Sequence, residues 1–155
     1  MPTRSIENSN SRLLLSEILR KVSNAKTKKE KVDLLRKHNT PALRQLLIWN
    51  FDESVVSMVP EGEVPYTPND APAGTDHTRL EHEYKGLYRF VRGGADKLPS
   101  LKRESMFVQL LEGLHESEAE LLCLVKDHKL GEKYKRITKA VVSEAFPQIE
   151  WGNRS

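Results

Sequence analysis

A single cysteine, Cys123, stands in a chain of 155 residues. No disulfide can close within the chain, so a reducing intracellular compartment is expected. Cys123 lies among Leu121, Leu122, Leu124 and Val125, and reads as a small hydrophobe rather than a nucleophile. Apolar runs are short, the longest being Leu121–Val125, and no stretch spans a bilayer as a helix. The opening residues Met1-Pro2-Thr3-Arg4-Ser5 carry no apolar core of a signal peptide, so no secretory leader is expected.

Catalytic signatures are also missing. There is no G-x-x-x-x-G-K-[ST] loop, and Gly93-Gly94-Ala95 runs into Asp96 and Lys97 rather than following a strand as a phosphate cradle. One cysteine and scattered histidines supply no closed zinc set; His77 and His82 share no helical face, and His115-Glu116-Ser117-Glu118 lacks a second histidine. Glu112, Glu116 and Glu120 form a row at four-residue spacing that reads as a solvated acidic face rather than a cation site. No nucleophile, base and orienting group cluster in the sequence. The expectation is a protein that is not an enzyme and needs neither metal nor cofactor.

What is present is charge, in blocks. Charged residues make up 30% of the chain while the formal net charge is only +3, so distribution matters more than total. From Arg20 to Arg44 nine Lys/Arg face Glu30 and Asp33, a balance of +7. From Asn50 to Glu83 the balance is −7, from Tyr84 to Arg103 +5, from Glu104 to Glu120 −5, and from Leu121 to Lys139 +4. Alternating blocks suggest one basic and one acidic face, which would steer a polyanion to one side. Solvated helix surface is the plainer alternative.

Hydrophobic spacing predicts helices throughout. Leu13, Leu14, Ile18, Leu19 and Val22 give a helix over about 11–24, after a leader over 1–10. Thr27-Lys28-Lys29-Glu30 is a capping box that opens a second helix bearing Val32, Leu34 and Leu35. Thr40 and Pro41 start a third with Leu43, Leu46, Leu47 and Trp49, and Asp52 is expected to cap a short helical turn through Met58. Further helices are expected at 79–92, with Leu80, Tyr84, Leu87, Tyr88 and Val91 on one face, and after Ser100 with Leu101, Phe107, Val108, Leu110, Leu111 and Leu114. Another is expected from Ser117 to about Lys129, and a last one through Ile137, Val141, Val142, Ala145 and Phe146 up to Pro147. The expected architecture is an all-α, irregular single-domain bundle of six to eight helices over 11–150, with a tail at 151–155. Residues 59–78 interrupt it: Pro60, Pro65, Pro68 and Pro72 exclude regular structure, making a long acidic loop that reads as a passive connector or as a lid or partner-binding strand.

Two bends concentrate cations at helix starts. Lys26, Lys28, Lys29 and Lys31 surround Thr27, and Lys133, Lys135, Arg136 and Lys139 surround Thr138 just before the last helix. A helix start offers unpaired N–H groups and a positive dipole end, to which lysines add mobile charge, so phosphate is the natural guest. Tyr134 could stack on a base, although a tyrosine in this position more often packs its ring into the helix pair. Nothing here reads base edges, so recognition should run through backbone and shape.

These residues also resemble a known family. Glu17-Ile18-Leu19, Ala25-Lys26-Thr27-Lys28-Lys29-Glu30-Lys31, and Leu34-Leu35-Arg36-Lys37-His38-Asn39 with Leu43 are similar to the N-terminal helical DNA-binding domain of the ATP-dependent DNA ligases of T-even phages. Leu121 to Lys129, the glycine-containing turn, Ile137 and Ala145-Phe146-Pro147-Gln148-Ile149 resemble the closing helices of that domain. The likeness covers the two ends and leaves the middle unmatched. The chain resembles more closely a set of small uncharacterised proteins of T-even-like myophages of marine hosts. The Lys-x-Asp-Gly adenylation motif of the ligases is absent, since Lys126-Asp127 lacks both spacing and glycine.

The resemblance therefore implies a stand-alone DNA-binding module without ligation chemistry, gripping duplex through Thr27, Lys28, Lys29, Lys133, Lys135, Arg136, Thr138 and Lys139. On that reading it is a bacteriophage accessory protein of DNA replication, repair or recombination, working in the cytoplasm of the infected host. The alternatives are an adaptor that holds a phage replisome, transcription or virion component, or a host protein, through 59–78, and an inhibitor of a host enzyme.

Overall fold

The computed structural model describes residues 13–69 and 77–154. Within them the fold is all-α: seven α-helices, two 3-10 segments and three isolated β-bridges, with no strand. The helices are α1 (Leu15–Asn24), α2 (Lys28–Lys37), α3 (Pro41–Phe51), α4 (Leu80–Glu83), α5 (Ser100–Gly113), α6 (Glu116–Lys126) and α7 (Lys139–Ala145). The 3-10 segments are Tyr84–Phe90 and Leu130–Glu132. No described helix is long and apolar enough to cross a membrane.

α6 is the helix around which the others gather. Ala119, Leu121, Leu122 and Val125 are fully buried, and the helix packs against α1, α3 and α5. Burying each large apolar side chain of this kind contributes about 1.5–3 kcal/mol, which explains why the Leu-rich stretch forms the centre. α1 adds Leu15, Ile18, Leu19 and Val22 at helical spacing, and α3 adds Leu43, Leu46, Leu47 and Trp49. Phe90 and Phe107 meet edge to face at 5.1 Å between ring centres and join the 3-10 segment to α5. α7 lies against α2.

The sequence signals for α2 and α3 act as expected, with one change. Thr27 Oγ1 accepts the Glu30 amide at 3.1 Å, but the Glu30 carboxylate takes the Thr27 hydroxyl at 3.0 Å instead of reaching back to its amide. Thr40 caps α3 at the Leu43 amide, 3.2 Å, and Pro41 fills the first turn. The ends of other elements depart from expectation. Asp52 opens a single hydrogen-bonded turn rather than a helical run to Met58: the Val55 amide donates to its carbonyl at 3.0 Å, its carboxylate takes the Ser54 amide and hydroxyl at 2.9 and 2.7 Å, and Ser57 then bridges to Val91. His115 rather than Ser117 caps α6, its Nδ1 accepting the Ser117 amide at 3.1 Å. Ser100 is the first residue of α5 and makes no cap, and Leu101 is 83% exposed instead of joining the core.

The expected helix over 79–92 tightens after one turn into the 3-10 segment. A period of three replaces 3.6 and re-aims its face, so Leu80, Leu87 and Phe90 are buried while Tyr88 turns to solvent.

Two segments read as peripheral are seated on the domain. Residues 59–67 form a strap held by Lys126, whose buried ammonium donates to the carbonyls of Pro60 at 2.8 Å and Gly62 at 3.2 Å and to Asp127 at 2.6 Å. Glu112 takes the Thr67 amide at 2.8 Å. Residues 59–67 are thus docked on the domain; residues 70–76 lie outside the described part, as does the leader over 1–10. Residues 151–154, expected as a tail, dock on Asp52, which accepts the Gly152 amide at 2.9 Å and the Arg154 guanidinium at 2.6 Å.

Candidate nucleic-acid interface

The two basic bends meet. Ser23, at the end of α1, donates its hydroxyl to the Lys135 carbonyl at 2.8 Å, and Arg20 donates to the Lys133 carbonyl at 3.3 Å. Arg20 also lies over the Tyr134 ring, 4.7 Å from its centre. On the other side, Arg36 of α2 donates to the carbonyls of Glu144 and Ala145 at 2.8 and 3.3 Å. Segments more than 100 positions apart in sequence are therefore stitched through main-chain carbonyls, a mode of contact that no charge pattern reveals.

Their side chains do not share one role. Lys28 pairs with Glu144 at 3.2 Å, Lys29 with Asp33 at 3.0 Å, and Lys133 with Glu120. Lys31 is buried, and its ammonium caps the Ala25 carbonyl at the end of α1. Lys139 lies over the Trp151 ring, 4.9 Å from its centre. Lys139 and Glu144 are five residues apart on α7, which places them about 140° apart around its axis, so Lys28 and Lys139 flank opposite edges of that helix. Thr27 and Thr138 spend their oxygens as N-caps, Thr138 accepting the Val141 amide at 3.3 Å.

Lys26, Lys135 and Arg136 remain exposed with no carboxylate partner among the described residues. Arg136 takes φ of +68°, a left-handed conformation that costs a residue with a β-carbon about 1–2 kcal/mol. The strained positions of the last bends are His128, at φ of +60°, and Arg136. Gly131 is not one of them, and a β-carbon there would meet nothing within 4 Å.

Tyr134 belongs to the core, 2% exposed, and burial pushes its phenol up to about 12 despite the nearby Arg20. The stacking role considered for it is replaced by packing. Cys123 is half-buried, and burial pushes its thiol up to about 11.

Sequence reasoning overlooked a second group of cations. Lys85, Arg92, Lys97 and Lys102 are all exposed and make no ion pair among the described residues. The +5 block from Tyr84 to Arg103 was the signal for it, but without a phosphate-turn motif nothing in the sequence marked it as a site.

No curated protein and no solved structure matches the chain. A family model does, over residues 18–132, from the end of the first turn of α1 through the second 3-10 segment. With most of its length matched, the chain belongs to that family, DUF6433, a family of unknown function.

Proposed function

We propose that the protein is a phage accessory DNA-binding module that holds duplex by its backbone, with little sequence preference, in replication, repair or recombination. The observation that carries this reading is the Ser23–Lys135 hydrogen bond, which brings the α1–α2 bend beside the 133–138 segment. Lys26, Lys135 and Arg136 then lie on neighbouring loops with no carboxylate partner among the described residues. The left-handed Arg136 adds weight, because a glycine would sit there without strain and a cation is kept instead.

Three free cations make a modest grip. Each phosphate neutralised contributes a slope of about −0.9 to log K against log salt, so the trio alone predicts a slope of about −3. Lys28, Lys29 and Lys133 sit in solvent-exposed pairs worth about 0–1 kcal/mol each, which a phosphate could displace. A slope nearer −5 would mean that those pairs open on binding.

The test is fluorescence anisotropy with a labelled duplex over a salt series, comparing the wild type with a K26A/K135A/R136G variant. Binding at low salt that falls by tenfold or more in the variant, independent of sequence, supports the reading. Absence of binding at low salt, or unchanged affinity in the variant, overturns it.

An adaptor role is the second reading, and the docked strap favours it. Lys126 and Asp127 hold residues 60–62 in place while Glu61 and Glu63 stay exposed above them. Charge reversal at Glu61 and Glu63, which leaves the clamp intact, should then abolish capture of a partner from infected cells.

A further inference from the structure

Lys85, one of the second group of cations, edges a cleft of about 350 Å³ lined by Trp49, Val55, Tyr84, Leu87, Tyr88 and Val91, with Gln45 and the Asp52-paired Arg154 also at its polar edge. Its size is at the lower end of pockets that enclose small organic groups, roughly 300–1,000 Å³. Residues three apart eclipse one another in a 3-10 helix, so Lys85 and Tyr88 stand in one row along the cleft, and Val91, extended just past the segment, also lines it. Tyr88 leaves 54% of its surface in solvent, an exposure that core packing does not explain.

The surroundings keep that ring and its cations in place. A β-carbon on Gly94 would lie 2.0 Å from the Tyr88 carbonyl oxygen, so only glycine lets the 91–97 turn fold against the tyrosine. Buried Arg103 donates to the carbonyls of Arg89 at 2.9 Å and Ala95 at 2.8 Å, tying the turn to the 3-10 segment. The single acid of this stretch, Asp96, is spent on the Gly93 amide at 2.6 Å. Lys85, Arg92, Lys97 and Lys102 therefore keep their charge free of carboxylates among the described residues.

An exposed ring over an apolar cleft, bordered by Lys85 and with Arg92 next in the chain to the lining residue Val91, has the chemistry of a stacking platform for unpaired bases. A base inside a duplex has both faces covered by its neighbours and cannot use it. We infer that the cleft beside Tyr88 receives an unpaired nucleobase of a single strand whose phosphates pass over Lys85 and Arg92. This surface is separate from the α1–α2 bend, and the inference stands whether or not that bend holds duplex.

Trp49 borders the cleft and reports on it. In a W151F background, which leaves Trp49 as the sole indole, a single-stranded oligothymidylate should quench the emission at low salt. Y88A should weaken binding about tenfold, in the range of one lost stacking contact, while Y88F binds like the parent. K85A with R92A should flatten the salt slope by about 1.4, two contacts at about 0.7 each on a single strand. Duplex affinity should be unchanged in Y88A, and single-strand affinity should survive K26A/K135A/R136G. No quenching at low salt, equal affinity of Y88A and parent, or thymidine monophosphate binding as tightly as the oligonucleotide would each overturn the inference. Loss of single-strand binding in K26A/K135A/R136G would overturn it too, assigning all contact to the bends.

Discussion

Glu118 Oε2 accepts the amide of Leu15 at 2.9 Å, across 103 positions of sequence. Its other oxygen accepts the amide of Leu80 at 3.0 Å. Both amides are first-residue donors, of α1 and of α4, which lack partners inside their own helices. One fully buried carboxylate thus caps two helices and pins them to α6.

Replacing it should show this. E118Q keeps the shape but turns an amide donor toward a donor, leaving a buried N–H unsatisfied, at a cost of about 1–3 kcal/mol. Denaturant unfolding should show a lower midpoint with an unchanged slope. Burial pushes the Glu118 carboxyl up, against the pull of the Leu80 and Leu15 amides. A raised carboxyl contributes most below the ordinary carboxylate range and loses that contribution as pH rises through the shifted value. The advantage of the wild type over E118Q should therefore be largest near pH 4 and shrink toward neutrality.

Asp52 should behave in the opposite way. Burial pushes its carboxyl up, but hydrogen bonds from the Gly152 amide, Ser54 and Arg154 outweigh that and hold it at about 2. A depressed carboxyl stabilises the fold above the unfolded value, near 4, and the contribution is lost as pH falls toward 2. The thermal midpoint of the wild type should fall across that window. D52N should start lower at neutral pH and lack this limb, and R154A should share part of the deficit.

Lys126 holds the strap by two bonds, to the carbonyls of Pro60 and Gly62, so K126M should release it. Removing one partner of a buried pair costs about 3–5 kcal/mol, partly recovered here as water reaches Asp127. Hydrogen exchange should rise over 59–67 first, ahead of any change in α3. If exchange rises uniformly instead, the ammonium supports the whole core and not the strap alone.

The bends separate stability from binding. R136G relieves a left-handed residue and should raise stability by as much as about 1 kcal/mol while weakening duplex binding. G131A should leave both unchanged, because nothing lies near its added carbon. G94A should be the damaging glycine substitution, since the Tyr88 backbone cannot yield to its methyl group.

The elements that could be read from the sequence were those fixed locally. Thr27, Thr40 and Pro41 act within four residues of themselves, and the helical spacing of Ile18, Leu19 and Val22 is set by one helix, which starts at Leu15, so Leu15 rather than Leu13 completes its buried face. Tyr88 could not be placed from periodicity, because the switch from 3.6 to three residues per turn leaves no local mark. Nor could Glu118 and Lys126 be told from surface charges, since their partners are main-chain groups far along the chain. At the candidate site the two basic bends were legible from their lysines and caps, while the carboxylates that occupy Lys28, Lys29 and Lys133 come from α7, α2 and α6 and follow from packing.

The strap clamp gives the molecule a built-in chemical reporter. An amine-acylating reagent can reach Lys26 and Lys135 at once, but Lys126 has no exposed side-chain surface while residues 60–62 cover it. Acylation at that one position, followed by peptide mass mapping, would time the lifting of the strap without a label or a mutation. A partner that seats on the strap would slow that modification, and one that peels it away would hasten it.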